Sequence, residues 1–143
     1  MNKFWKIAPW LSRLILLPPT VIFSLIATRY LTHPVASAAA QGITFSSNLG
    51  LTISRIGLGG FPLACGIFVA TCLFSRRRVL TGLTFVSILV GVLLIVRVAG
   101  MYADSTVAEN LKLVRAEIML LVLTGIGIAL ELAGRTQTRK TGV

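Results

Sequence analysis

Arg55, Arg97, Arg115 and Glu117 stand in this sequence where charge is hardest to keep, at or inside the ends of long apolar runs. A charge in such a place needs a partner, water or a function. Residues 96–117, V-R-V-A-G-M-Y-A-D-S-T-V-A-E-N-L-K-L-V-R-A-E, join two of those runs and hold three of the chain's four acids, Asp104, Glu109 and Glu117. A carboxylate opposite an arginine gains directed, charge-assisted hydrogen bonds. Arg97 and Glu117 are therefore expected to pair, with Arg55 as a further donor and Asp104 in the adjoining loop. Arg115, two positions from Glu117, falls on another helix face and reaches the surface along its own alkyl stem. Such a cluster supports an ion pair that fixes helix register. It also supports a polar pocket in which an unpaired arginine receives an anion, a lipid headgroup or a quinone-like molecule. A proton relay through Glu117 is a third reading.

The elements that would position these groups follow from composition. The chain has 143 residues, 55% of them hydrophobic and only 13% charged, with a mean hydropathy of +0.89. A soluble protein of this size could not cover so much apolar surface with so few charges, whereas lipid removes that demand. Apolar runs at about 11–31, 53–74, 79–100 and 111–133 are each long enough for a bilayer core of about 30 Å. The expected fold is all-α: an integral membrane four-helix bundle forming a single transmembrane domain over residues 1–143. Trp5 and Trp10 form an aromatic collar at its start, and Pro18-Pro19 are expected to kink the first helix.

The net charge of +10 would suggest nucleic acid in a soluble chain, but the bases here flank apolar runs, which argues against that partner. Lys3, Lys6, Arg76, Arg77, Arg78, Arg135, Arg139 and Lys140 fall on one side of four crossings. Arg29, Lys112, Asp104 and Glu109 fall on the other. Arginine-rich short turns stay cytoplasmic, so both termini and the triple-arginine turn are expected inside, in contact with anionic headgroups. Lys3 and Lys6 before an apolar run, with V-A-S-A-A-A at 35–40, imitate a cleavable signal. Arg29 and His33 interrupt the approach to that site, and the run reads as a retained span. Residues 32–48 form a long connection with room for a short interfacial helix.

Small residues mark expected helix contacts at Gly57, Gly60, Ala64, Gly82, Gly91, Gly125 and Gly127, with Gly60 and Ala64 in small-x-x-x-small spacing. Cys65 and Cys72 lie about 10 Å apart on a helix, too far for a disulfide, and read as small buried hydrophobes. His33 has no companion at metal-ligand spacing and reads as a solvated loop residue. No metal and no cofactor are expected.

R-I-G-L-G-G at 55–60, R-R-R at 76–78, V-G-V-L-L-I-V-R-V-A-G-M at 90–101 and then Glu117 in an apolar run together resemble the bacterial domain of unknown function 4345. That group is similar to the DoxX-like four-helix membrane proteins, and the resemblance covers about residues 48–131. It implies a multi-pass bundle in the bacterial inner membrane and carries over no catalytic residue. DoxX-like proteins look like membrane partners of redox enzymes, though no redox residue here matches that role.

The leading expectation is a non-enzymatic accessory, scaffold or lipid-contacting protein, with a second copy or another membrane protein as partner. A small transporter or flippase of lipid-linked or anionic substrates is the first alternative. A membrane enzyme or redox-complex partner binding a quinone-like molecule is the second. The chain lacks H-E-x-x-H and G-x-S-x-G, which leaves few groups for acid–base or covalent work.

Overall fold

A computed structural model describes residues 3–75 and 77–140, apart from the side chains of residues 3–9, 109 and 137–140. Arg76 and the side chains of Lys3, Lys6, Glu109, Arg139 and Lys140, on which part of the expected charge asymmetry rests, lie outside the described residues, as does the Trp5 side chain of the aromatic collar. The rest is all-helical: α1 (Lys3–Thr32), α2 (Pro34–Ala39), α3 (Asn48–Ser54), a π-helical turn (Arg55–Gly60), α4 (Phe61–Phe74), α5 (Val79–Ala103) and α6 (Val107–Lys140). No strand occurs among the described residues. Four helical stretches, Trp10–Thr32, Asn48–Phe74, Val79–Ala103 and Asn110–Thr136, are long and apolar enough to cross a membrane.

The helix ends differ from the apolar runs for local reasons. The second long helix begins at Asn48 because the Ser47 hydroxyl caps it, accepting the Gly50 N–H at 3.2 Å. α5 closes with a Schellman arrangement. Thr106 N–H reaches back to the Met101 carbonyl at 3.2 Å, with Ser105 in the left-handed region at φ 56°. α6 continues well past residue 133 into a polar tail. There the Arg135 guanidinium bonds Glu131 at 3.1 Å and donates to the Arg77 carbonyl at 3.1 Å.

Pro18-Pro19 do not end α1, which is helical from Lys3 to Thr32. Their missing N–H groups leave the Leu14 and Ile15 carbonyls without their usual partners. Near Pro62 the backbone widens instead, and Phe61 N–H bonds the Ile56 carbonyl five residues back.

The helices group into two compact units, residues 17–71 and residues 1–16 with 72–143. In the first unit Phe23, Ala27, Tyr30, Cys65 and Val69 form the core. A side chain at Gly59 would meet Leu31 at 3.0 Å, so the π turn lies directly against the end of α1. In the second unit Leu16, Cys72, Val79, Leu83, Val86 and Thr124 are buried. Its closest approach is at Gly82, where an added Cβ would lie 2.7 Å from the Cys72 Cβ; one at Gly127 would lie 2.9 Å from Leu83.

Gly82 and Gly127 are among the glycines expected to pack, and the other expected positions are not used in this way. An added Cβ at Gly57, Gly91 or Gly125 meets nothing within 4 Å, and one at Gly60 meets only the Arg55 carbonyl, at 3.9 Å; Ala64 is exposed. Gly57 and Gly59, like Gly125 and Gly127, are two residues apart and so on opposite sides of their helices. Composition marks the pair, and only the packed neighbour selects the member. Both cysteines are free and buried.

Candidate functional site

Arg97 and Glu117 meet in the antiparallel hairpin of α5 and α6. Arg97 lies about 9 Å before the end of α5 and Glu117 about 15 Å into α6, at 1.5 Å per residue. A long guanidinium side chain spans the difference. Arg97 Nη2 and Nε both point to one carboxylate oxygen, Glu117 Oε1, at 2.8 and 2.9 Å. The side chains are 28% and 17% exposed, so the pair is largely withdrawn from the surface of the chain. Arg97 Nη1 then donates to Asn110 Oδ1 at 3.1 Å. Asn110 Nδ2 in turn donates to the carbonyl and hydroxyl oxygens of Thr106, both at 3.1 Å. The network runs from α5 through α6 into the loop that joins them, so closing the loop also fixes the charge. Glu117 Oε2 is buried without a hydrogen-bond partner among the described residues.

A second tie lies deeper in the hairpin. Ser87 Oγ donates to Thr124 Oγ1 at 2.8 Å, and Thr124 donates to the backbone carbonyls of its own preceding turn at 3.0 Å. The third is the Arg135–Arg77 contact at the far end. Arg77, Ser87 and Arg97 are spaced ten residues apart, so a polar bond crosses the hairpin about every 15 Å. Polar groups crossing between apolar helices fix register, because a slip would leave each of them unsatisfied.

Four polar residues of α6 share one spacing. Asn110, Glu117, Thr124 and Glu131 fall seven residues apart, the repeat that keeps one seam facing a partner helix. Gly127 is buried beside that seam, while Leu113, Ile118, Met119, Val122, Leu123 and Ile126 are exposed on the rest of the helix. Asn110, Glu117 and Thr124 thus face the neighbouring helix, while most of the large apolar side chains between residues 113 and 126 do not.

Of the other residues singled out in the sequence, Arg115 is exposed and makes no hydrogen bond or ion pair among the described residues. Asp104 is exposed and ends α5 through its backbone N–H to the Gly100 carbonyl at 2.8 Å. Arg55 opens the π turn in the unit of residues 17–71, exposed and without a polar partner among the described residues. Asn110, Thr106, Ser87 and Thr124 are the members that charge-based reading misses. The seven-residue spacing of N, E, T and E was the available signal. His33 is the cap residue before α2 and makes no side-chain hydrogen bond among the described residues. No protein-family model, curated protein or solved structure matches this chain.

Proposed function

We propose that the chain is a small multi-pass membrane protein of the bacterial inner membrane that acts as a non-enzymatic scaffold or accessory subunit. The buried polar groups of the α5–α6 hairpin hold its two helices together, and the outer surface contacts lipid and a membrane partner. The observation that carries this reading is the inverted helix α6, with Asn110, Glu117 and Thr124 turned to α5 and a broad apolar face left uncovered. In water that arrangement would expose apolar area and withdraw charge. In a bilayer it does the reverse, since buried polar pairs are the expensive groups and Leu, Ile and Val are the solvated ones.

Both termini and the Arg77-Arg78 turn are assigned to the cytoplasm, by the clustering of bases at one end of the hairpin. The loops at residues 33–47 and 104–106 lie outside. The residue spacing that resembles the DoxX-like proteins is in keeping with a partner-binding role. The test is a charge on the uncovered face. Ile126→Lys is expected to cost about 2.5–3.5 kcal/mol of insertion and to empty the membrane fraction of the protein. A chain that folds in water would tolerate this change at an exposed site.

A transporter reading rests on a different observation, the unpartnered Glu117 Oε2. A buried carboxylate oxygen with no donor among the described residues leaves a place for a cation, as exchangers require. Flux into proteoliposomes compared between wild type and Glu117→Gln separates the two readings. A scaffold gives background flux in both.

A further inference from the structure

Residues 17–71 contain two arginines, Arg29 and Arg55, and no aspartate or glutamate. Any counter-ion for them must come from outside this unit. Arg29 lies on the last turn of α1, beside a cleft of about 540 Å³. The cleft is lined by Arg29, Tyr30, His33 and Gln41 on its polar side and by Ile26 and Leu58 on its apolar side. Its walls are braced. Ser37 Oγ donates to the Arg29 carbonyl at 3.2 Å, the Tyr30 hydroxyl donates to the Ser37 carbonyl at 3.5 Å, and Pro34 opens α2 in the turn between them. Leu58 comes from the π turn, whose Gly59 is seated against Leu31. Local π geometry of this kind is common where a helix is shaped for a site. The Arg29 guanidinium itself makes no hydrogen bond or ion pair among the described residues.

We propose that this cleft binds a phosphate-bearing amphiphile, with the phosphate on Arg29 and the first part of its chain against Ile26 and Leu58. The inference rests on the membrane reading above, because it places Arg29 about 5 Å from the end of a spanning stretch, at the depth of lipid phosphates. The guanidinium fork matches two phosphate oxygens. The His33 ring and the Gln41 amide supply further donors at the rim. A free phosphate could share the Arg29 fork but would leave the apolar wall unused.

The test uses the full chain reconstituted into phosphatidylcholine vesicles with a minority of phosphatidylglycerol, extracted gently, and weighed by native mass spectrometry for retained lipid. Arg29→Gln should lower phosphatidylglycerol retention about fivefold to tenfold, the loss of one charged contact at a membrane surface. Arg55→Gln makes the same charge change in the same unit outside the cleft and should leave retention at the wild-type level. Equal loss in both variants, or no loss in Arg29→Gln, overturns the site. Soluble glycerol phosphate should not displace the lipid at matched concentration. Displacement would make the ligand the water-soluble anion and remove the apolar half of the proposal. Leu58→Asn, with every charge intact, should also lower retention, and it carries the test if Arg29→Gln does not fold; unchanged retention there overturns the proposal. Flotation of the wild type with the vesicles is scored separately. Its failure would contradict the membrane reading rather than the site.

Discussion

Removing the Glu117 carboxylate should weaken the α5–α6 hairpin by an amount the geometry sets. Losing one partner of a fully desolvated ion pair costs about 3–5 kcal/mol, and losing one of an exposed pair costs about 0–1 kcal/mol. With side chains 28% and 17% exposed, Glu117→Ala belongs between those limits, at about 2 kcal/mol. Arg97 would keep its bond to Asn110 but lose both contacts to Oε1. Glu117→Gln is gentler. One carbonyl oxygen at the Oε1 position accepts both Arg97 N–H groups, so the hydrogen bonds survive and mainly their charge assistance is lost, about 1 kcal/mol. The amide nitrogen then sits where Oε2 already lacks a partner. Arg97→Leu combined with Glu117→Ala removes both charges and should recover part of the single-mutant loss. A double-mutant cycle read by denaturing-detergent titration of the purified protein should give a coupling of about 1–2 kcal/mol. A coupling within about 0.3 kcal/mol of zero, or a double variant worse than the sum of the singles, would show that Arg97 and Glu117 do not stabilise the hairpin as a pair.

Thr124→Val keeps the shape of the side chain but leaves the Ser87 hydroxyl without its acceptor. The same titration should show a loss of about 0.6 kcal/mol, and at most about 1.7. The glycines separate cleanly. Gly82→Ala pushes a methyl to 2.7 Å from the Cys72 Cβ and should cost about 1–3 kcal/mol by overpacking. Gly91→Ala meets nothing within 4 Å and should be neutral or stabilising by up to about 1 kcal/mol, as melting of the detergent-solubilised variants would report.

Much of this arrangement is legible in the residues alone, because it depends on coarse physics. Four runs of apolar side chains, interrupted by Arg77-Arg78 and by Asp104, leave few alternatives to four long helices. The cost of a lone charge leads from Arg97 to Glu117. What stays hidden depends on neighbours that the chain reaches only after folding. Asn110 reads as an ordinary loop-proximal polar residue until the α5–α6 turn brings Arg97 within 3.1 Å of it. Gly59 and Gly127 cannot be chosen over Gly57 and Gly125 without knowing which side meets Leu31 or Leu83. The π turn is hidden for a different reason, since it answers to backbone hydrogen bonding upstream of Pro62 rather than to any side-chain pattern. Helix ends move for equally local causes, as when the Ser47 cap starts the second spanning stretch at Asn48 rather than at Ile53.

Side-specific labelling of single cysteines decides whether the chain crosses the membrane four times. In a Cys65→Ser, Cys72→Ser background, cysteines are placed one at a time at Ser46, Ser75 and Ser105 and exposed to an impermeant maleimide on intact spheroplasts. With four crossings, positions 46 and 105 react from outside and position 75 reacts only after permeabilisation. Labelling of position 75 from the same side as the other two would contradict four crossings.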